Sequence, residues 1–143
     1  MDNKLSEKIA ADFPLLFDYR KDELMLPFPM FGFEVESGWF PIIYSACKTL
    51  DHCRSELDIR IRVDQIKEKF GTLRFYTTGE PKEGEYAIQE AMRLSAEICE
   101  YCGHPGKLRT NGWYSTLCED HYADNKVNLK PIIDEMLLAV HTK

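Results

Sequence analysis

The stretch CEYCGHPGKLRTNGWYSTLCEDHY, residues 99–122, decides how this chain is read. It holds three of the five cysteines and two of the four histidines. Cys118 and His121 repeat the two-residue gap of Cys99 and Cys102 after an interval of fifteen residues. A tetrahedral metal ion wants four soft or borderline ligands, and three cysteines with one histidine are a standard structural set for zinc. Each short gap lets a ligand pair converge on one ion from a tight turn or from the first turn of a helix. Gly103, directly after Cys102, supplies tolerance of positive φ where the chain must reverse. The spacing predicts a structural Zn²⁺ held by Cys99, Cys102, Cys118 and His121. His104 is the rival for the fourth place and ranks lower, because it sits close behind Cys102 and before Pro105.

Between the two pairs, Asn111-Gly112 stands between Leu108 and the group Trp113, Tyr114 and Leu117. Asn-Gly in that setting is the strongest short hairpin signal. Trp113 and Tyr114 are expected to pack beside the metal. Residues 118–125 can then start a helix that presents Cys118 and His121 on one side. Knuckle, hairpin and ligand-bearing helix in that order resemble the treble-clef zinc finger over residues 97–126, a zinc-binding subdomain within the chain. The resemblance implies a scaffold and no particular activity. The nuclease version of that scaffold, similar to His-Asn-His enzymes, needs a general-base histidine on the hairpin, and KLRTNGWYST has none. More widely, IKEKFGTLRFY, CEYCGHPGKLR and GWYSTLCEDH resemble strings in small uncharacterised proteins of phages, prophages and bacteria, over about residues 38–122. That resemblance implies an accessory protein of mobile-element type with no assigned chemistry.

Around this stretch the periodicity is helical, then alternating, then helical again. Leu5, Ile9 and Phe13 predict a short first helix stopped by Pro14. Residues 24–33 are irregular, since Pro27 and Pro29 forbid a regular helix. Trp39, Ile43, Ala46, Cys47, Leu50 and Leu57 predict a helix over about 39–56, with Ser37 or Gly38 as start and Pro41 tolerated in the first turn. Ile59, Ile61 and Val63 alternate with Arg60, Arg62 and Asp64, as a half-buried strand does. Leu73, Phe75 and Thr77 alternate again after the turn residue Gly71. Ile66 falls out of phase with Val63, which predicts a bulge or strand end near Asp64. Ile88, Ala91, Met92, Ser95 and Ile98 predict a helix over about 84–99 that runs into Cys99. Ile132, Ile133, Met136, Leu137 and Val140 close the chain with an amphipathic helix, Leu129 in its first turn and Asn128 as its N-cap. The fold class is α+β: a small antiparallel hairpin packed by helices, with the treble-clef-like finger toward the C-terminus.

At 143 residues, with 44% hydrophobic and 29% charged side chains, the expectation is one globular domain over residues 1–143. No apolar run approaches the roughly 20 residues needed to cross a bilayer. The N-terminal MDNKLSEKIAADF lacks a leader-like apolar stretch, so a cytoplasmic chain with reduced thiols is expected. The net charge of −6 disfavours broad binding to nucleic acid, which rests on phosphate neutralisation.

Among the other side chains, Cys47 reads as core packing, and His52 and His141 as surface. Arg60, Arg62, Arg74 and Tyr76 could share the outer face of the first hairpin and dock a phosphate or an acidic partner patch. The aromatic run over residues 26–40 is expected to fold over the sheet and complete the core. Four ligands leave no position open for water, unlike a catalytic zinc, and the His-x-Glu signature of a deaminase is absent. The sequence therefore points to a non-enzymatic, zinc-stabilised interaction protein, an accessory factor that binds a host protein. A nucleic-acid-binding module using the arginine face and Arg109 stands second, and a zinc-dependent hydrolase third.

Overall fold

The computed structural model describes residues 1–18, 32–123 and 130–141. Helix α1 (Asn3–Asp12) is opened by Asp2, whose carboxylate accepts the Lys4 N–H, and it ends before Pro14 begins a 3₁₀ turn (Pro14–Phe17). A second 3₁₀ turn (Ser37–Trp39) leads into α2 (Phe40–Leu57), with Pro41 near its start. Ser37 ties this start to the N-terminus, its hydroxyl accepting the Asp2 N–H at 2.9 Å.

Strands β1 (Arg62–Lys69) and β2 (Thr72–Thr78) pair antiparallel, and α3 (Lys82–Ser95) packs behind them. The metal-ligand stretch forms a second two-stranded sheet, β3 (Lys107–Arg109) with β4 (Ser115–Leu117), followed by the short α4 (Glu119–Ala123). Helix α5 (Lys130–His141) closes the described chain. The architecture is α+β, with two small antiparallel sheets and five α-helices among the described residues.

The core is built from the faces that periodicity marks. Trp39, Phe40, Ile43, Cys47 and Leu50 of the α2 region are fully buried in one cluster with Ile61, just before the hairpin, and with Val63, Ile66 and Leu73 of its strands. Leu5 and Ile9 of α1, Ile88 and Ala91 of α3, and Ile133 and Met136 of α5 close this core from other sides. The phase slip at Ile66 is a bulge: the register shifts between Val63 and Gln65, and the extra residue turns Ile66 back to the buried face.

Several expectations change. The first strand begins at Arg62 and not at Ile59, because Asp58 takes a left-handed conformation (φ +49°) to cap α2 and residues 59–61 complete the reversal. Leu57, at the end of the helical stripe, is 56% exposed. Helix α3 stops at Ser95, short of Cys99. The Ser95 hydroxyl donates to the Met92 carbonyl and accepts the Leu73 N–H, while Ile98 pairs antiparallel with Pro105 and so needs extended backbone. The turn at Gly71 forms as expected, as the two-residue turn Phe70-Gly71, and the expected Asn111-Gly112 hairpin forms too but closes through a five-residue loop, residues 110–114, because Arg109 pairs with Ser115.

Of the aromatic run, residues 33–40 join the core and sheet. Glu34 lies along β1, donating its N–H to the Ile66 carbonyl and accepting that of Glu68. Phe33 packs edge-on to Phe17 with centroids 5.9 Å apart. Residues 26–31, Asn125, Asn128 and Leu129 lie outside the described residues.

Candidate metal centre

The first ligand pair sits on a knuckle that the backbone closes on itself. Cys99 N–H donates to the His104 carbonyl (2.8 Å) and Gly103 N–H to the Cys99 carbonyl (2.9 Å), with Gly103 at φ +77°. The second pair sits where β4 hands over to α4. The Cys118 carbonyl accepts Tyr122 N–H, and its sulfur accepts His121 N–H at 3.4 Å, so one helical turn sets Cys118 and His121 on the same side.

The two pairs meet. The sulfur, sulfur, sulfur and nitrogen ligand atoms of Cys99, Cys102, Cys118 and His121 all lie within 4.8 Å of one another. Cys102 Sγ is 3.7 Å from Cys118 Sγ, and His121 Nδ1 is 3.5 Å from Cys99 Sγ and 3.2 Å from Cys118 Sγ. A tetrahedral ion with metal–sulfur distances near 2.3 Å and metal–nitrogen near 2.0 Å has edges of about 3.8 and 3.5 Å. These three separations lie close to those edges, the whole quartet stays within 4.8 Å, and the Cys102–Cys118 sulfur pair is far from the roughly 2.05 Å of a disulfide. The four residues are positioned to bind a metal ion.

The surroundings suit the same task. Cys99, Cys102 and His121 are buried, and the Tyr101 ring stacks on the His121 imidazole at 5.4 Å and 22°. Burial lowers the His121 pKa, which keeps the ring neutral as a ligand must be. Burial also pushes the Cys102 thiol up to about 12, helped by its hydrogen bonds to the neighbouring sulfurs. For Cys118 burial opposes ionisation too. The His121 N–H and the donated Cys102 and Cys99 thiols outweigh it and hold Cys118 below its ordinary value. Glu100, between the first two ligands and 7% exposed, is pushed up to about 7, first by burial and then by Glu68 and Glu36.

The knuckle is rooted in the core. Trp39 Nε1–H donates to the Ile98 carbonyl (2.9 Å), and Gly38 N–H to the Glu100 carbonyl (2.6 Å). Thr116, fully buried on β4, accepts the Glu100 N–H through its carbonyl. Met136 of α5 reaches Gly103 from the other side, so that a Cβ there would stand 3.0 Å from its methyl carbon.

The remaining expected residues fall apart from this centre. His104 is exposed and serves the knuckle through its carbonyl. Trp113 is 84% exposed, and Tyr114 leans on Phe70; the aromatic beside the ligands is Tyr101, which the sequence places between two of them without marking its role. Cys47 is buried in the core, where burial raises its pKa, and His52 is exposed. All five cysteines are free.

The cross-strand pairs Gln65–Tyr76 and Lys67–Arg74 put Tyr76 and Arg74 on the outer face of the first hairpin, and Arg62 joins them opposite Thr78. Arg62 is held by Asp64 at 2.5 Å, and Arg74 donates to Thr72 Oγ1 and to the Leu73 carbonyl. Arg60 precedes the strand and reaches the Asp18 carbonyl. Arg109 pairs with Glu119 at 2.9 Å and lies 4.2 Å over the Tyr122 ring.

Comparison of the chain with models of protein families, with curated proteins and with solved structures gives no match, so neither the treble-clef nor the phage-type resemblance finds a counterpart there. No described helix is long and apolar enough to cross a membrane.

Proposed function

We propose that this chain is a non-catalytic binding protein whose Cys₃His centre holds a structural zinc ion in a treble-clef-like finger. The observation that carries the reading is the convergence of four protein ligands, one nitrogen and three sulfurs, within 4.8 Å of one another. Four ligands complete the coordination that zinc prefers in structural sites and leave no place for a reacting water. The role of the ion is mechanical. It joins the knuckle after α3 to the start of α4, and through Gly38 and Trp39 the joint bears on the start of α2. Reduced thiols at all five cysteines suit a reducing compartment such as the cytoplasm. What the scaffold presents is a surface, and the partner in this reading is another protein.

The test is metal analysis of the purified chain, followed by cobalt substitution and chelation. One equivalent of zinc, a cobalt spectrum of tetrahedral thiolate type and loss of fold with chelator are expected. A chain that keeps its fold and thermal midpoint after complete metal removal would sink the structural role.

A further inference from the structure

The two hairpins end side by side. The buried Thr116 hydroxyl of β4 donates to the Gly71 carbonyl in the β1–β2 turn at 2.7 Å, and a Cβ on Gly71 would stand 2.5 Å from Leu108 Cδ1. This docking sets the Phe70 and Tyr114 rings edge to face, 6.4 Å apart, with Trp113 beside them around a cleft of about 460 Å³. Phe70 is an expensive residue for its position. It takes φ +54° as the first residue of a two-residue turn, followed by Gly71 at +78°, and turns of that kind favour Asn or Gly. The left-handed backbone is strained for an L side chain, and at 65% exposure Phe70 recovers little of that strain by burial.

A second cavity of about 520 Å³ adjoins the first, sharing Glu68 and Trp113 with it. Glu34, Glu36, Glu68 and Glu100 line it, with Phe33 and Tyr101 as aromatic wall. The Met1 ammonium, which donates to the Val35 carbonyl, also stands at this cavity. Glu100 is 7% exposed, and its carboxylate makes no hydrogen bond or ion pair among the described residues. Glu68 turns one oxygen to the Gly71 N–H at 2.6 Å. These carboxylates do not converge on a point. Among the described residues, the Cys₃His set is the only group of Cys, His, Asp and Glu side chains close enough to share one ion. Their spread suits an extended organic cation, and their charge repels phosphate.

We propose that this double notch receives an extended segment of a partner protein that carries a lysine or arginine beside an apolar residue. The cation sits among Glu36, Glu68 and Glu100 against Trp113, and the apolar side chain packs on Phe70 and Tyr114. Carboxylates with an aromatic wall match both the head and the aliphatic stem of such a side chain. A free small amine would fill the acidic cavity alone and leave the apolar cleft empty, where the Lys69 ammonium already lies 5.5 Å from the Phe70 ring centroid and keeps a second cation on the carboxylate side. The proposal rests on the reading of the chain as a binding protein and supplies its surface and its partner chemistry.

The test is titration of the zinc-loaded full chain with the peptide acetyl-Gly-Lys-Leu-Lys-Leu-Gly-amide and with its glutamate counterpart, followed by amide chemical shifts. Saturable shifts at Glu36, Glu68, Phe70 and Trp113 are expected with the lysine peptide and not with the glutamate one. The double variant Glu36→Gln/Glu68→Gln removes two charges while the side-chain amide oxygen at position 68 remains an acceptor for the Gly71 N–H. This double variant and the variant Trp113→Ala should each weaken binding about tenfold or more. Shifts centred elsewhere, affinity unchanged in both variants, or spermidine binding as tightly as the peptide would overturn the proposal. So would self-association of the free chain that Trp113→Ala abolishes, because the occupant would then be a second copy. A protein captured from lysate by the wild type and retained equally by both variants would leave the binding-protein reading standing and remove this surface.

Discussion

Gly38 and Cys99 meet backbone against backbone: a Cβ on Gly38 would stand 2.1 Å from the Cys99 carbonyl oxygen. The start of α2 is therefore part of the metal knuckle's foundation, although the two are 61 residues apart in sequence. Gly38→Ala must push them apart and strain the Gly38 N–H bond to Glu100. The expected loss is about 2–3 kcal/mol in denaturant unfolding of the metal-loaded chain, with weaker metal retention. An unchanged midpoint would show that the knuckle is not seated on α2.

Removal of the ion should lower stability steeply, since binding at a structural site is coupled to folding. Chelator is expected to drop the thermal midpoint by on the order of 10 °C or more, and Cys118→Ser should reproduce the effect without chelator. Full metal content in Cys118→Ser, measured by elemental analysis, would remove Cys118 from the ligand set.

The two histidines of the stretch should separate cleanly. His121→Ala is expected to lose the ion. His104→Ala should keep one equivalent of it, because residue 104 contributes its carbonyl to the Cys99 N–H and a backbone carbonyl survives the change. The reverse pattern in metal analysis would exchange their roles.

Phe70→Asn should stabilise the chain. Asn tolerates the left-handed conformation that Phe70 is made to hold at φ +54°, whereas the exposed edge contact with Tyr114 is weak. The expected gain is about 0.5 kcal/mol in equilibrium unfolding. A loss larger than about 1 kcal/mol would mean that the Phe70–Tyr114 pair outweighs the backbone strain.

Alkaline pH gives a test of the α1–α2 contact. Burial first, and then the 2.5 Å hydrogen bond donated to Asp12, push Tyr44 up to about 12 from an ordinary value of 10.0. Between those two values the folded chain holds a proton that the unfolded chain has lost, so the contribution is full below pH 10 and declines as pH rises toward 12. The stability difference between wild type and Tyr44→Phe should shift against the wild type across that window. A difference constant with pH would show that Tyr44 titrates alike in both states.

Much of the site could be read before any fold was known, because ligand chemistry is local. Two residues between Cys99 and Cys102, and two between Cys118 and His121, are set by what a turn or a helix can bring to one ion. Periodicity is local too, so the buried stripe from Trp39 to Leu50 and the bulge that returns Ile66 to the core were legible. Ser95 shows where such reading stops. The helical pattern continues to Ile98, yet the chain leaves the helix at Ser95, whose hydroxyl meets a strand N–H 22 residues away. Both hairpins were legible, at Gly71 and at Asn111-Gly112, but their loop lengths were not. Asn111-Gly112 carries the stronger local preference, but Phe70-Gly71 makes the tight turn, packed against β4 and held by Glu68.

The sequence alone determined the helical and strand periods and a ligand quartet whose spacing fits one ion. Each rests on forces between residues a few positions apart. The tertiary structure alone decided that the two hairpin tips lie together, that Trp113 faces outward while Tyr101 covers His121, and that Glu34, Glu36, Glu68 and Glu100 share one cavity. Those outcomes depend on which faces fit when distant segments pack, and close contacts such as Gly38 on Cys99 and Gly71 on Leu108 set that fit without leaving a period or a motif in the chain.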